Sequence, residues 1–249
     1  MCTLILGIDV VVKGSILLGA NRDEDPKRPS EPPALLSTDP RIAGGRDRAA
    51  GGTWLAIRAA EGDAALAVAM LNRRPGATAA GETPGASPPT RSRGLLTLDV
   101  ARSPDPATAF ESLVRERYAP FTLVAARPGA AWILSWDLVT ARMIEPAAGW
   151  HVLTHADLDD RNEPRTAALL DSLAEVRPRD RAAAEAGLIT RLSGHDPPAA
   201  CLHEGPMVTV SSALVWLTAS ETGYRHAEGR PCVTEFQDYS ALLAERAGS

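Results

Sequence analysis

The sequence predicts an α+β fold in which antiparallel sheets carry helices on their outer faces. Apolar runs of strand length crowd the N-terminal part of the chain. Helical spacing enters only later. The strands are joined by turns and loops rather than by the helical crossovers of repeated βαβ units. At 249 residues the chain can bury one large core, and a single domain over 1–249 is the expected organisation.

Residues 3–12 are rich in Leu, Ile and Val and read as a strand buried on both faces. Lys13-Gly14 reads as a two-residue turn, and residues 15–20 as the returning strand, ending in Asn21-Arg22-Asp23-Glu24-Asp25. The four prolines from Pro26 to Pro33 predict loop. Gly44-Gly45 and Gly51-Gly52 bracket a polar stretch, after which 53–57 and 64–71 read as strands, the second ending at Asn72-Arg73-Arg74-Pro75. The Gly, Pro, Ala, Ser and Thr of 75–90 predict a flexible loop, placed to act as a lid. Ser103 or Asp105 is positioned to cap a helix in which Phe110, Leu113, Val114 and Arg117 recur at helical spacing. Strands follow near 121–126, 131–136, 139–145 and 150–154, then helices over 164–176 and 179–193, a strand at 207–217 and a last helix from 239. Trp132, Trp136, Trp150 and Trp216 fall in or beside strands, where core packing is the expected role.

Bulk properties exclude several functions. A net charge of −5 provides no positive field for nucleic acid or an anionic membrane, and 4% aromatics is too sparse for a base-stacking platform. The apolar start lacks a basic leader and runs straight into Asp9, and no apolar run reaches spanning length. The expectation is a soluble cytoplasmic protein without a membrane span. Cys2, Cys201 and Cys232 are too few and too irregular for a disulfide framework, which fits a reducing compartment. Oligomeric state is not encoded in any pattern here.

Cys2 is the position richest in chemistry. A small second residue permits removal of Met1, which would leave Cys2 with a thiol and a free α-amine on one residue, a nucleophile beside a base. The amine titrates near 7.7–8.0 and a free thiol near about 8.5, so each is partly in its useful state at neutrality. With a turn at Lys13-Gly14, Cys2 falls opposite Asp25, with Asp23 on the same face and Arg22 on the other; a longer turn reverses the faces. In either register the cluster 21–25 returns to the end of the strand that carries Cys2. An arginine there favours thiolate. Asp23 is placed to orient the α-amine, and Asn72 offers a side-chain NH2 to an oxyanion. The expected substrate is a small carbonyl compound, an amide or a thioester, with no cofactor. Composition alone reads Asn21–Asp25 equally as a solvated turn, and Arg73-Arg74 as either a solvated loop pair or a contact for an anionic tail.

Met1-Cys2-Thr3-Leu4-Ile5, Ala20-Asn21-Arg22-Asp23-Glu24, Gly51-Gly52-Thr53-Trp54-Leu55-Ala56, Leu71-Asn72-Arg73, and Ser92-Arg93-Gly94 with Leu98-Asp99 occur in an order that resembles the NRDE family, relatives of the transport and Golgi organisation protein. Segments 152–159 and 209–212 fit more loosely. The family is similar to N-terminal-nucleophile hydrolases of the choloylglycine hydrolase and penicillin acylase type. That likeness implies a four-layer αββα sandwich with Cys2 as nucleophile, Asp23 as amine partner and Asn72 as oxyanion donor. This chain departs from those hydrolases at two points. Their arginine stands as Arg-x-x-Asp, whereas Arg22 directly precedes Asp23 and Ala20 holds the earlier place. Their Leu-Thr-Asn is Leu153-Thr154-His155 here, which puts an imidazole, able to donate a hydrogen bond or act as acid or base, where an amide is expected. The resemblance also implies a second function, a binding or trafficking protein for haem, lipid or acyl-coenzyme A; for haem, Cys201-Leu202-His203 and His151 or His155 offer soft or imidazole ligands, with structural packing as their plainer role.

Overall fold

The computed structural model describes residues 2–60, 64–73 and 90–244. Six strands come first: β1 (Thr3–Ile8), β2 (Ile16–Glu24), β3 (Ser30–Thr38), β4 (Arg41–Asp47), β5 (Leu55–Arg58) and β6 (Leu66–Asn72). Helices α1 (Arg93–Arg102) and α2 (Pro106–Glu111) follow, then β7 (Phe121–Arg127), β8 (Ala130–Trp136), β9 (Ala141–Ile144) and β10 (Gly149–Leu153). The described chain closes with α3 (Pro164–Leu173), α4 (Arg181–Leu192), β11 (Val208–Leu217), β12 (Thr222–Ala227) and β13 (Gln237–Asp238). One sheet runs β10-β1-β2-β11-β12-β13 and the other β3 to β9 in chain order.

Side-chain alternation sorts these elements into layers. Leu4, Leu6, Ile8, Ala213 and Val215 of the first sheet meet Ile57, Ala67, Ala69, Val124 and Ile133 of the second in one core. The far side of the first sheet, with Ile5, Leu17, Leu214 and Trp216, packs on Leu169, Leu173, Leu188 and Leu192 of α3 and α4. The far side of the second sheet, with Val68, Leu123, Trp132 and Leu134, packs on Leu96, Val100 and Phe110 of α1 and α2. The order is helix, sheet, sheet, helix, the expected αββα sandwich. Each buried Leu or Ile contributes roughly 2 kcal/mol. Trp136, Trp150 and the other two strand tryptophans all join these cores.

The first hairpin differs from its expected form. β1 stops at Ile8 because Asp9 turns left-handed at φ 58 and accepts the Gly14 N–H at 2.7 Å, so 9–15 form a longer loop. Thr3 therefore pairs with Asn21, and the register carried one step further sets Cys2 across from Arg22, not Asp25. The Pro-rich segment is also not all loop. β3 begins at Ser30 and takes in Pro32 and Pro33, which an edge strand with a register break after Glu31 tolerates. α1 shows no clean apolar stripe in the sequence, because polar Thr97 is buried among Leu96, Leu98 and Val100. Asp105 caps α2 through the Thr108 N–H at 3.0 Å, which settles the choice with Ser103. The expected last helix is a short 3-10 turn, Ser240–Leu243. The proposed lid at 75–90 lies outside the described residues except for Thr90, as does Arg74. Among the described residues no helix is long and apolar enough to cross a membrane.

Candidate active site

A cleft opens at one end of the two sheets, where strands of both sheets meet the start of α1. Cys2 enters from the start of β1, and Arg22, Asp23 and Glu24 from the end of β2. Asn72 ends β6, Ser211 lies on β11, His226 on β12, and Ser92, Arg93 and Gly94 open α1. Four of the five residues singled out from the sequence (Cys2, Arg22, Asp23 and Asn72) line this one cleft.

The strand pleat gives the neighbours different faces. Asn21 points to the helices and is spent on structure, its Nδ2 donating to the Leu192 and Ala200 carbonyls at 2.8 and 2.9 Å. Cys2 packs against the core between the sheets and is half-buried. Burial pushes its thiol up, and the Asp23 charge adds to this; a hydrogen bond from the Asp23 backbone and the Arg22 guanidinium pull the other way. The Asp23 carboxylate is buried, accepting from Thr209 Oγ1 at 2.7 Å with Arg165 Nη1 at 3.4 Å. Burial raises its pKa even so, against the Thr209 hydrogen bond and the Arg165 charge. Arg22 is buried beside Glu24, 3.6 Å away. Asn72 is exposed at the strand end, and its side chain makes no hydrogen bond to the described residues.

His155 is placed elsewhere. Leu4 pairs with Leu153, so the extended register brings the chain at His155 near Cys2, but β10 has ended there and His155 is not among the lining residues. Glu163, whose carboxyl is held low against burial mainly by hydrogen bonds from Thr166 and the Arg165 backbone, feels the His155 charge as a smaller contribution. Arg73 is also committed: Nη1 donates to the Ala156 carbonyl at 2.9 Å and Nη2 pairs with Asp157, clamping the turn after β10 to the end of β6. His151 is held between Asp159 at 2.7 Å and the Ala147 carbonyl at 2.9 Å, so neither ring nitrogen is open for a ligand.

The sequence reading missed Arg165, Thr209, Arg93 and His226 as site residues. Arg165, on α3, also donates to Thr3 Oγ1 at 2.8 Å, fastening the helix to the strand that carries Cys2. Arg93 donates to the Pro120 carbonyl at 2.7 Å, and no carboxylate pairs with it among the described residues. Burial lowers its pKa, against the pull of Cys2 and Glu24. His226 is buried with Nδ1 unpartnered among the described residues. Arg93 and Thr209 lie inside the family-like segments 92–94 and 209–212; Arg165 and His226 carry no local signal. The cap of α3 bears on the site as well. Glu163 accepts the Thr166 N–H at 2.7 Å, and Glu163→Ala should cost about 1 kcal/mol in urea denaturation.

Two antiparallel sheets between helix layers are a fold that N-terminal-nucleophile hydrolases of the choloylglycine hydrolase type also have. An arginine-to-leucine variant of conjugated bile acid hydrolase from Clostridium perfringens shares it, with a TM-score of 0.50 over 99% of this chain and 95% of that one at 12% identity. The chain belongs to the Transport and Golgi organisation 2 family, whose model matches residues 1–195. No curated protein matches it in sequence.

Proposed function

We propose that this protein is an N-terminal-nucleophile thiol enzyme that cleaves or transfers the acyl group of a small amide or thioester through Cys2. The observation that carries this reading is the convergence of Cys2, Arg22, Asp23 and Asn72 on one cleft. The likeness in fold to a protein named as a conjugated bile acid hydrolase supports it.

In this mechanism Met1 is removed, and the new α-amine of Cys2 lies within reach of the Asp23 carboxylate. The thiol proton passes to the amine, and the thiolate attacks the substrate carbonyl carbon. The oxygen takes up the displaced electron pair as an oxyanion and accepts a hydrogen bond from Asn72 Nδ2. Collapse returns the pair to the C–O bond and breaks the bond to the leaving amine or thiol, which takes the proton from the α-ammonium. Water, deprotonated by the same amine, then cleaves the acyl-Cys2 thioester. Asp23 is a positioning residue here, holding the amine and favouring its protonated form after attack. Arg22 offsets the burial that opposes thiolate. His155 enters neither step.

The test is intact mass before and after brief exposure to a thiol-directed electrophile. The expected result is a chain lacking Met1, labelled once on Cys2 with a pH-dependent rate, and left unlabelled in Cys2→Ala under the same exposure. Retained Met1, or a label that prefers Cys232, would overturn the enzyme and leave a binding module on the same scaffold.

A further inference from the structure

Away from the cleft, two loops bring thiols and imidazoles together. The segment after α4 carries His195, Cys201 and His203, and a turn after β12 carries Cys232. One ligand atom each from His195, His203 and Cys232 falls within 4.8 Å of the others. Cys232 Sγ lies 3.3 Å from His203 Nε2 and 3.7 Å from Cys201 Sγ. The two imidazoles stand side by side, ring centroids 5.1 Å apart.

These spacings fit a tetrahedral metal. A zinc ion with Zn–S of about 2.3 Å and Zn–N of about 2.0 Å sets its S–S edge near about 3.8 Å and its S–N edge near about 3.5 Å. The Sγ–Sγ distance is far beyond a disulfide bond of about 2.05 Å. A disulfide would also use neither imidazole. Ligand type agrees, since two thiols and two imidazoles are the donor set of a closed zinc site.

The backbone holds the ligands in place before any ion arrives. The Gly194 carbonyl accepts both the Ala200 and Cys201 N–H groups, at 3.0 and 2.8 Å. The Arg230 carbonyl accepts Val233 and Thr234 at 3.1 and 2.9 Å, forming the turn that presents Cys232. His195 Nδ1 has the Ser193 carbonyl at 3.3 Å, a backbone partner of the kind that orients ligating imidazoles and leaves Nε2 open. His195 and His203 are exposed, which gives an ion its way in.

We propose that His195, His203 and Cys232 form a site for a borderline-soft divalent cation of the zinc type, which Cys201, 3.7 Å from Cys232, completes as fourth ligand by a small movement of its side chain when the ion binds. The site would pin the loop after α4 to the turn after β12. It also reaches the cleft through the backbone. Leu202, between two of the ligands, donates its N–H to Thr209 Oγ1 at 2.9 Å, and Thr209 in turn donates to Asp23.

The test uses the full chain, reduced and stripped of metal, titrated with Co2+ as a spectroscopic stand-in. The expected result is one equivalent bound, with a thiolate-to-cobalt band in the near ultraviolet, intense tetrahedral visible bands, and displacement by Zn2+. Cys232→Ser and His203→Asn should each weaken binding on the order of 100-fold, and Cys2→Ala should leave it unchanged. Both ligand positions are outside the core, and an unaltered far-ultraviolet circular dichroism spectrum separates lost ligation from lost folding. Pale octahedral bands without charge transfer would overturn the proposal. So would a thiolate band that survives Cys232→Ser, or one that disappears in Cys2→Ala.

Discussion

Gly52→Ala should destabilise the fold by about 3 kcal/mol and slow the labelling of Cys2. A Cβ on Gly52 would stand 2.3 Å from the Gly94 carbonyl carbon and 2.6 Å from both the Gly94 oxygen and the Leu95 nitrogen. Every one of these atoms is backbone, so no side-chain rotation relieves the contact. The chains come this close because the Thr53 N–H donates to the Gly94 carbonyl at 3.0 Å, fastening the first turn of α1 to the approach to β5. That first turn carries Ser92, Arg93 and Gly94, the cleft wall facing Cys2. A displaced α1 therefore moves Arg93 as well as costing packing. Gly51 is the built-in control. It has φ +72 with nothing within 4 Å of an added Cβ, so Gly51→Ala meets only the left-handed penalty of roughly 1 kcal/mol. Urea denaturation of both variants separates the effects, and equal losses would show that the close approach at Gly52 is not what the fold depends on.

This pair of glycines shows what was legible in the chain and why. Gly51-Gly52-Thr53-Trp54 and Ser92-Arg93-Gly94 are visible as motifs, about forty residues apart. Their contact is not visible, because it is made by backbone atoms whose meeting depends on the whole second sheet. The α+β class could be read from apolar runs of strand length and later helical spacing, which are local, whereas the four-layer order of the sandwich came only with the family resemblance. The partner of Cys2 could not be read, since it turns on one loop. The left-handed Asp9 lengthens the loop over 9–15 and shifts the pairing from Asp25 to Arg22. Asn72 was found because a strand end is a local feature. Arg165 and His226 were missed because each enters from an element whose sequence holds no sign of the cleft.

His226 carries the other large expected effect. Between pH 6.5 and 4 the wild type should lose on the order of 3 kcal/mol more stability than His226→Gln. Burial, reinforced by the Arg22 charge, lowers the His226 pKa from 6.5 to about 4. The unfolded chain therefore takes up a proton through this range while the folded chain refuses it. Stability is intact above pH 6.5, where both states are neutral, and drains away as pH falls toward the folded value. At about 1.4 kcal/mol per pH unit the loss reaches the figure given. Asp23 works in the opposite sense, since a carboxyl raised by burial gains stability on protonation. The comparison with His226→Gln removes that contribution, because both proteins keep Asp23. Glutamine fills the site differently, so the readout is the slope with pH rather than stability at one pH. Parallel slopes would mean that His226 titrates normally.

The same histidine tests the electrostatics of the cleft. Its ring lies near Tyr224 and Tyr239, with centroids 6.4 and 6.2 Å away. Arg22 is then the neighbouring charge that burial leaves to act on it. Arg22→Gln should raise the His226 pKa, followed directly by the imidazole carbon-bound proton shifts in NMR. The same substitution should raise the apparent pKa for Cys2 labelling, because Arg22 stabilises thiolate while it opposes imidazolium. One guanidinium moving both groups upward would identify a shared field in the cleft. If only His226 moved, Arg22 would be a buried structural cation, and the thiolate would owe its stability to the Asp23 backbone hydrogen bond and the α-amine.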